Sequence, residues 1–251
     1  MRGLKDRRIL LTGGGSGIGR ATAIRLAEEG CIVGLLDINE AGARETAAQC
    51  NGRATVWPTD ITNRAQIDAT VDRYEQEIGP IEGLANIAGW DKAQNFLDTD
   101  TALWDRVIQI NLYGPLHMHH AVLPRMVSRG FGRVLNVSSD AGRVGSSGEA
   151  VYSACKGGII AFTKTMAREL ARRGITLNVL CPGPTDTPLL EAVMSASPEG
   201  GKISAAMARA IPLKRIGKPE DYHGTIAFLL SDDAAYITGQ TLSVSGGLTM
   251  V

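Results

Sequence analysis

The chain has 251 residues, with 26 basic and 26 acidic side chains and no net formal charge. That length suits one large α/β domain with a substantial core, and the balanced charge offers no basic excess for nucleic acid or an anionic membrane. Four scattered cysteines (Cys31, Cys50, Cys155, Cys181) form no C-x-x-C pair, which argues against a zinc site or disulfide framework and suits a reducing compartment.

The apolar run behind the basic N-terminus, Ile9-Leu10-Leu11, stops at Thr12-Gly13, and no apolar segment reaches membrane-spanning length. A soluble cytoplasmic protein is expected. The same run has buried-strand character, and Thr12-Gly13-Gly14-Gly15-Ser16-Gly17-Ile18-Gly19 follows at once. Ala21, Ile24, Leu26 and Ala27 then recur at helical spacing until Gly30. Strand, glycine-rich turn and helix together predict a dinucleotide site, because glycines admit a pyrophosphate to the backbone and the helix N-terminus offers unpaired N–H groups. No Gly-Lys-Ser/Thr follows, so a nucleoside-triphosphate loop is not expected.

The next strand, Ile32 to Leu36, ends at Asp37. A carboxylate there accepts from both adenosine ribose hydroxyls and repels a 2′-phosphate. Ile38 and Asn39 bring no offsetting cation, Ser16 stands where a base could sit, and Arg20 lies within the helix start. NAD is therefore expected over NADP. Thr55-Val56-Trp57 leads to Asp60-Ile61 and an amphipathic helix through Ile67, Val71, Tyr74 and Ile78. Gly83-Leu84-Ala85 runs into Asn86-Ile87-Ala88-Gly89-Trp90.

A long helix over residues 101–129 carries Asn111 near its middle, and His117, His119 and His120 beyond it. Residues 117 and 120 share a helix face, but no Asp, Glu or Cys stands at ligand spacing, so no metal is expected. Val134 to Val137 is a strand ending in Ser138-Ser139, and Ile175 to Leu180 another, ending in Cys181-Pro182-Gly183. This alternation predicts a single-domain Rossmann fold over residues 1–251: a doubly wound parallel sheet with helices on both faces, and a ligand crevice beyond the strands' carboxyl ends.

Between those last two strands lies Tyr152-Ser153-Ala154-Cys155-Lys156 on a helix. Four residues apart, phenol and ammonium share a face. A cation about 4 Å away at an effective dielectric near 20 is worth on the order of 4 kcal/mol. That is enough to bring a phenol of pKa about 10 down by two to three units, at about 1.4 kcal/mol each. Tyr152 is the expected general acid/base, with Lys156 lowering its pKa.

Thr12-Gly13-x-x-x-Gly17-x-Gly19, Asp60, Asn86-x-Ala88-Gly89, Asn111, Ser139, Tyr152-x-x-x-Lys156 and Pro182-Gly183 together resemble the short-chain dehydrogenase/reductase family over essentially the whole chain. The resemblance implies that Ser139 hydrogen-bonds the substrate oxygen, that Lys156 also holds the nicotinamide ribose, and that Asn111 positions a water linking Lys156 to solvent. It places Asp60 and Ile61 beside the adenine, Thr187 on the carboxamide, and Thr185 with Pro182-Gly183 nearby. The usual Asn-Asn-Ala-Gly is Asn86-Ile87-Ala88-Gly89 here, and the C-terminal Asp-Gly-Gly is Ser245-Gly246-Gly247.

The family implies a homotetramer and interconversion of a secondary alcohol and a ketone. Stretches outside the family signature, such as Gly89-Trp90-Asp91 and residues 143–152, suggest a subfamily acting on hydroxyacyl-CoA thioesters. A variable segment over residues 188–215 is expected to close the substrate pocket, with Gly200-Gly201 as a hinge. Trp90, Arg143 and Glu149 are candidate substrate contacts or rim residues. Lys202, Arg209, Lys214 and Arg215 are either CoA-phosphate contacts or scattered surface cations. A 3-oxoacyl-thioester reductase and a general secondary-alcohol dehydrogenase are the competing enzyme readings. A non-enzymatic NAD sensor is set against the presence of Asn111, Ser139, Tyr152 and Lys156 together.

Overall fold

The computed structural model describes residues 1–195 and 200–251. Strands β1 (Arg8–Thr12), β2 (Ile32–Asp37), β3 (Ala54–Pro58), β4 (Gly83–Asn86), β5 (Gly132–Val137), β6 (Ile175–Pro182) and β7 (Thr241–Val244) form one parallel sheet, ordered β3-β2-β1-β4-β5-β6-β7. Helices α1 (Gly17–Glu28), α2 (Glu40–Ala48), α3 (Arg64–Glu77), α4 (Thr101–Ile108), α5 (Gly114–Arg129), α6 (Ala141–Val144), α7 (Ala150–Leu170), α8 (Pro188–Ser195), α9 (Gly200–Ala210) and α10 (Glu220–Leu230) connect and flank the strands.

Successive strand residues point to opposite faces, so the sheet supports two cores. On one face Ile9, Leu11, Val33 and Leu35 meet Leu26 of α1, Ala43 of α2 and Ile226 of α10. On the other Leu10, Leu36, Leu84 and Val134 meet Ile67 and Tyr74 of α3, Met118 and Val122 of α5, and Ala167 of α7. Burial on both sides is why the central strands read as unbroken apolar runs. The chain winds from β1 to β3, then crosses to β4 on the other side of β1. The crevice of such a sheet opens at that reversal, beyond the strands' carboxyl ends.

Three features depart from the sequence reading. The helix expected over residues 101–129 is interrupted by a π-helical turn at Gln109–Tyr113, between α4 and α5. Strand β7 was not anticipated. Within the variable segment the chain is helical on either side, and Gly200 and Gly201 open α9 rather than forming a free hinge. Residues 196–199 of that segment lie outside the described residues.

The three histidines of α5 do not converge on a common point. His119 is buried, with its Nδ1 2.6 Å from the Pro115 carbonyl and its ring edge-on to Phe162, and burial pulls its pKa down to about 4. His120 Nδ1 instead meets Arg64 Nη2 at 3.0 Å. Among the described residues no helix is long and apolar enough to cross a membrane.

Candidate active site

Gly13, at φ +77°, turns the chain out of β1, and a side chain on Gly19 would put its Cβ 1.9 Å from the Gly13 carbonyl oxygen. The first turn of α1 therefore folds tightly back over the end of β1. Its N-cap, Ser16, is extended and makes no side-chain capping bond, and the first turn holds no acidic residue. The orphan N–H groups there suit an anion.

At the end of β2 the Asp37 carboxylate is held from both sides. One oxygen accepts from the Gly15 N–H and the other from the Asn39 N–H, each at 2.8 Å. Arg20 is committed elsewhere, donating to the Gly15 carbonyl at 2.7 Å and pairing with Glu45 at 3.0 Å. Asp60 caps its own loop, accepting from the backbone N–H and hydroxyl of Thr62.

Gly13, Ser16, Gly17, Ile18, Gly19, Asp37, Ile38, Asp60, Ile61, Ala88, Gly89, Pro182, Gly183, Thr185 and Thr187 line one cleft of about 1260 Å³, together with Ser139, Tyr152 and Lys156. Single small-ligand pockets run to about 300–1,000 Å³. The cleft thus has room for a dinucleotide and a second molecule beside it, with the N-terminus of α1 suited to phosphates and the Asp37 carboxylate to a ribose. Asn86 is the exception among the expected cofactor contacts. It lies buried beneath the cleft, where its Nδ2 donates to Asn136 Oδ1 at 2.9 Å, tying β4 to β5. Thr12, which the motif leaves without a partner, joins β1 to the same region by accepting from the N–H groups of Ile87 and Ala88.

At the reacting end, Tyr152 and Lys156 lie one turn apart on α7, with Lys156 Nζ 5.5 Å from the centre of the tyrosine ring. Gly142 of α6 allows the Ser139 loop to reach them, since a Cβ there would stand 2.7 Å from the Lys156 carbonyl carbon. The electrostatics differ from the sequence expectation. Burial drives the Tyr152 phenol upward, Glu149 and Asp91 add to the rise, and hydrogen bonding with Ser139 opposes it. Lys156 is not what moves it. Its ammonium lies under the ring, donates to the Val137 carbonyl at 3.0 Å, and is itself pulled down to about 8 by burial. Two charges of opposite sign both lose water here, and in the protein alone desolvation exceeds their attraction.

Asn111 occupies the π-helical turn and is fully buried. Its Nδ2 donates to the carbonyls of Trp90 and Val107, and its Oδ1 accepts from the Trp90 N–H. It does not line the cleft; it clamps the loop that does. Trp90, covered by Arg106 with the guanidinium 3.9 Å from the ring centre, and Glu149 both line the cleft. Arg143 does not. Its guanidinium donates to Ser243 of β7 at 2.9 Å, and Ser243 in turn donates to Asp140, so Arg143 is a strut between the β5 loop and the sheet edge rather than a substrate contact.

Asp91 escaped the sequence reading and stands on the cleft wall beside Tyr152, at 8% exposure. Burial, reinforced by Glu149, raises its pKa to about 6. A carboxyl whose folded pKa is raised contributes stability that is complete below about pH 4 and lost as pH climbs through about 6. Asp91→Asn should therefore exceed the parent by about 2–3 kcal/mol at pH 7.5, at about 1.4 kcal/mol per unit, and by nearly nothing at pH 4. Urea unfolding at the two pH values checks this; an equal difference at both would remove the buried charge as the cause.

The sequence profile of a family described as enoyl-(acyl carrier protein) reductase matches residues 13–249. The chain is 36% identical to 2-(S)-hydroxypropyl-CoM dehydrogenase 3 of Xanthobacter autotrophicus, over 99% of this chain and 98% of that one. The crystal structure of levodione reductase superposes with a TM-score of 0.92 at 34% identity, covering 97% of each chain. That of 3-ketoacyl-(acyl-carrier-protein) reductase from Brucella melitensis complexed with NADH gives 0.90 at 31% identity, over 98% of this chain and all of that one.

Proposed function

This chain belongs to the short-chain dehydrogenase/reductase family and is an oxidoreductase of CH–OH groups; from that premise we propose that it interconverts the secondary alcohol and ketone of a 2- or 3-hydroxyacyl-CoA thioester, with NAD as its coenzyme. The observation that carries the reading is the placing of Ser139, Tyr152 and Lys156 at one end of the cleft whose other end holds the glycine turn and Asp37. Residues 116–124, 143–152, 181–187 and 243–250, with Gly89-Trp90-Asp91, resemble 2-hydroxycyclohexanecarboxyl-CoA dehydrogenase. Its substrate, 2-hydroxycyclohexanecarboxyl-CoA, is therefore the first to try.

The glycine turn and the N-terminus of α1 hold the pyrophosphate, Asp37 the adenosine ribose, Asp60 and Ile61 the adenine, Lys156 the second ribose, and Thr187 the carboxamide. Bound NAD would supply the hydride acceptor. Ser139 holds the substrate oxygen while Tyr152 takes the hydroxyl proton in oxidation and returns it in reduction. In reduction the two hydroxyls polarise the carbonyl as an oxyanion hole does. Asn111 acts one step removed, by fixing Trp90 and Asp91. The reducing environment suited to four free, buried cysteines supports a cytoplasmic protein, and the family resemblance supports a homotetramer with α4, α5 and α7 at one interface.

The test is NADH formation from 2-hydroxycyclohexanecarboxyl-CoA against cyclohexanol. The thioester should lead by at least about tenfold in kcat/KM, the worth of 1.4 kcal/mol of binding; equal values would remove the thioester from the substrate class. A 3-oxoacyl-thioester reductase is the second reading, favoured by the likeness to the Brucella enzyme. Faster turnover of a linear 3-oxoacyl thioester than of the cyclic one would select it.

A further inference from the structure

The mechanism makes no use of the carboxyl pair beside Tyr152. Asp91 is more than nine-tenths buried, its Oδ2 has no hydrogen-bond partner, and it lines the cleft together with Glu149, the residue preceding α7. Asp91, Glu149 and Tyr152 line the same stretch of wall, and both carboxyls push the Tyr152 phenol upward. Their loops are tied, since the Gln94 N–H donates to the Gly148 carbonyl at 2.8 Å. Asn111 fixes the adjoining Trp90 from both its N–H and its C=O.

This is a held geometry, and a buried acceptor left without a donor is costly unless something else supplies one. The neighbouring cations do not. Lys156 is spent on Val137, Lys92 offers Asp91 only its backbone N–H, and Arg106 lies over the Trp90 ring. No ion pair among the described residues includes Asp91 or Glu149.

We propose that Asp91 and Glu149 are the specificity element of the substrate end: the pair accepts a hydrogen bond from an uncharged donor on the substrate and turns away substrates that carry a free carboxylate. Burial and the neighbouring carboxyl keep Asp91 near about 6, so at neutral pH the wall facing the substrate is anionic. A like charge brought against it inside a partly desolvated cleft is strongly disfavoured. A neutral acyl group, such as a thioester, meets no such penalty. The inference rests on the alcohol dehydrogenase reading and adds to it why an activated acid is accepted where the free acid is not.

Three probes on one ring test it: cyclohexanol, cyclohexane-1,2-diol and 2-hydroxycyclohexanecarboxylate, each measured for kcat/KM with NAD and for affinity to the NADH-loaded enzyme by calorimetry. The parent should rank diol first and carboxylate last. In Asp91→Asn, and more so with Glu149→Gln added, the carboxylate should gain at least about tenfold relative to cyclohexanol and the diol should lose its lead. A carboxylate-to-cyclohexanol ratio that stays within about threefold of the parent in both variants would overturn the proposal. Because both ratios are internal to each variant, a general loss of rate does not imitate the effect. Absence of turnover with every probe would count against the dehydrogenase reading, while the binding ratios would still decide the role of the pair.

Discussion

Replacing Tyr152 with phenylalanine is expected to lower kcat/KM by about 10²–10⁴-fold, the range general acid/base groups supply, with NADH affinity changed by no more than about threefold. The substitution removes one oxygen and little volume. The ring continues to cover the Lys156 ammonium, Lys156 keeps its bond to Val137, and Ser139 remains to hold the substrate oxygen. What disappears is the hydroxyl that hydrogen-bonds with Ser139 and carries the proton. The loss corresponds to about 3–5 kcal/mol of transition-state stabilisation. Steady-state turnover and a fluorescence titration with NADH measure the two quantities separately, and retention of more than a few per cent of the parent rate would remove Tyr152 from proton transfer. Burial holds the Tyr152 phenol above its usual range.

Coenzyme choice should depend on Asp37 almost as strongly. The parent is expected to favour NADH over NADPH by at least about 10²-fold in kcat/KM, because a phosphate against a fixed carboxylate costs several kcal/mol. The carboxylate cannot swing aside, being held by the Gly15 and Asn39 N–H groups, and Arg20 cannot turn to neutralise the phosphate without giving up Gly15 and Glu45. Asp37→Ser should erase most of the preference. Adding Ile38→Arg should reverse it, because Ile38 is 77% exposed at the mouth of the cleft and can be exchanged without disturbing the core. Kinetics with both coenzymes read the outcome. A parent that uses NADPH equally well would mean that Asp37 does not face the ribose.

Much of this was legible in the sequence because the central strands are buried on both faces and each ends in a residue with no place in a core. Thr12, Asp37, Asp60, Ser139 and Pro182-Gly183 could be put on one edge from alternation alone. Strand β7 was not legible, since Thr-Leu-Ser-Val at a half-exposed sheet edge carries neither a continuous apolar run nor a clean alternation. The π-helical turn leaves no glycine or proline at 109–113 to mark it. Arg143 was assigned by nearness in sequence to Tyr152, whereas its length lets it cross to β7. Asp91 reads as an ordinary loop acid beside Trp90; the signal that could have found it is a second acid, Glu149, three residues before the tyrosine. The upward push of burial on the Tyr152 phenol is not legible in the spacing of Tyr152 and Lys156, because spacing carries their attraction and not the loss of water around them.

The surplus residue in the helix between α4 and α5 has one more consequence. Each residue advances a helix by about 100°, so an insertion sets everything beyond it out of phase with everything before. Here that offset lets Val107 and the apolar stripe of α5 both find the interior, and it turns the Asn111 amide outward from the helix to grip the neighbouring loop. A chain shortened by one residue at this point would make the more regular helix and would leave Trp90 and Asp91 without an anchor. Smoothing the backbone and keeping the substrate wall in place are therefore opposing demands on the same five residues.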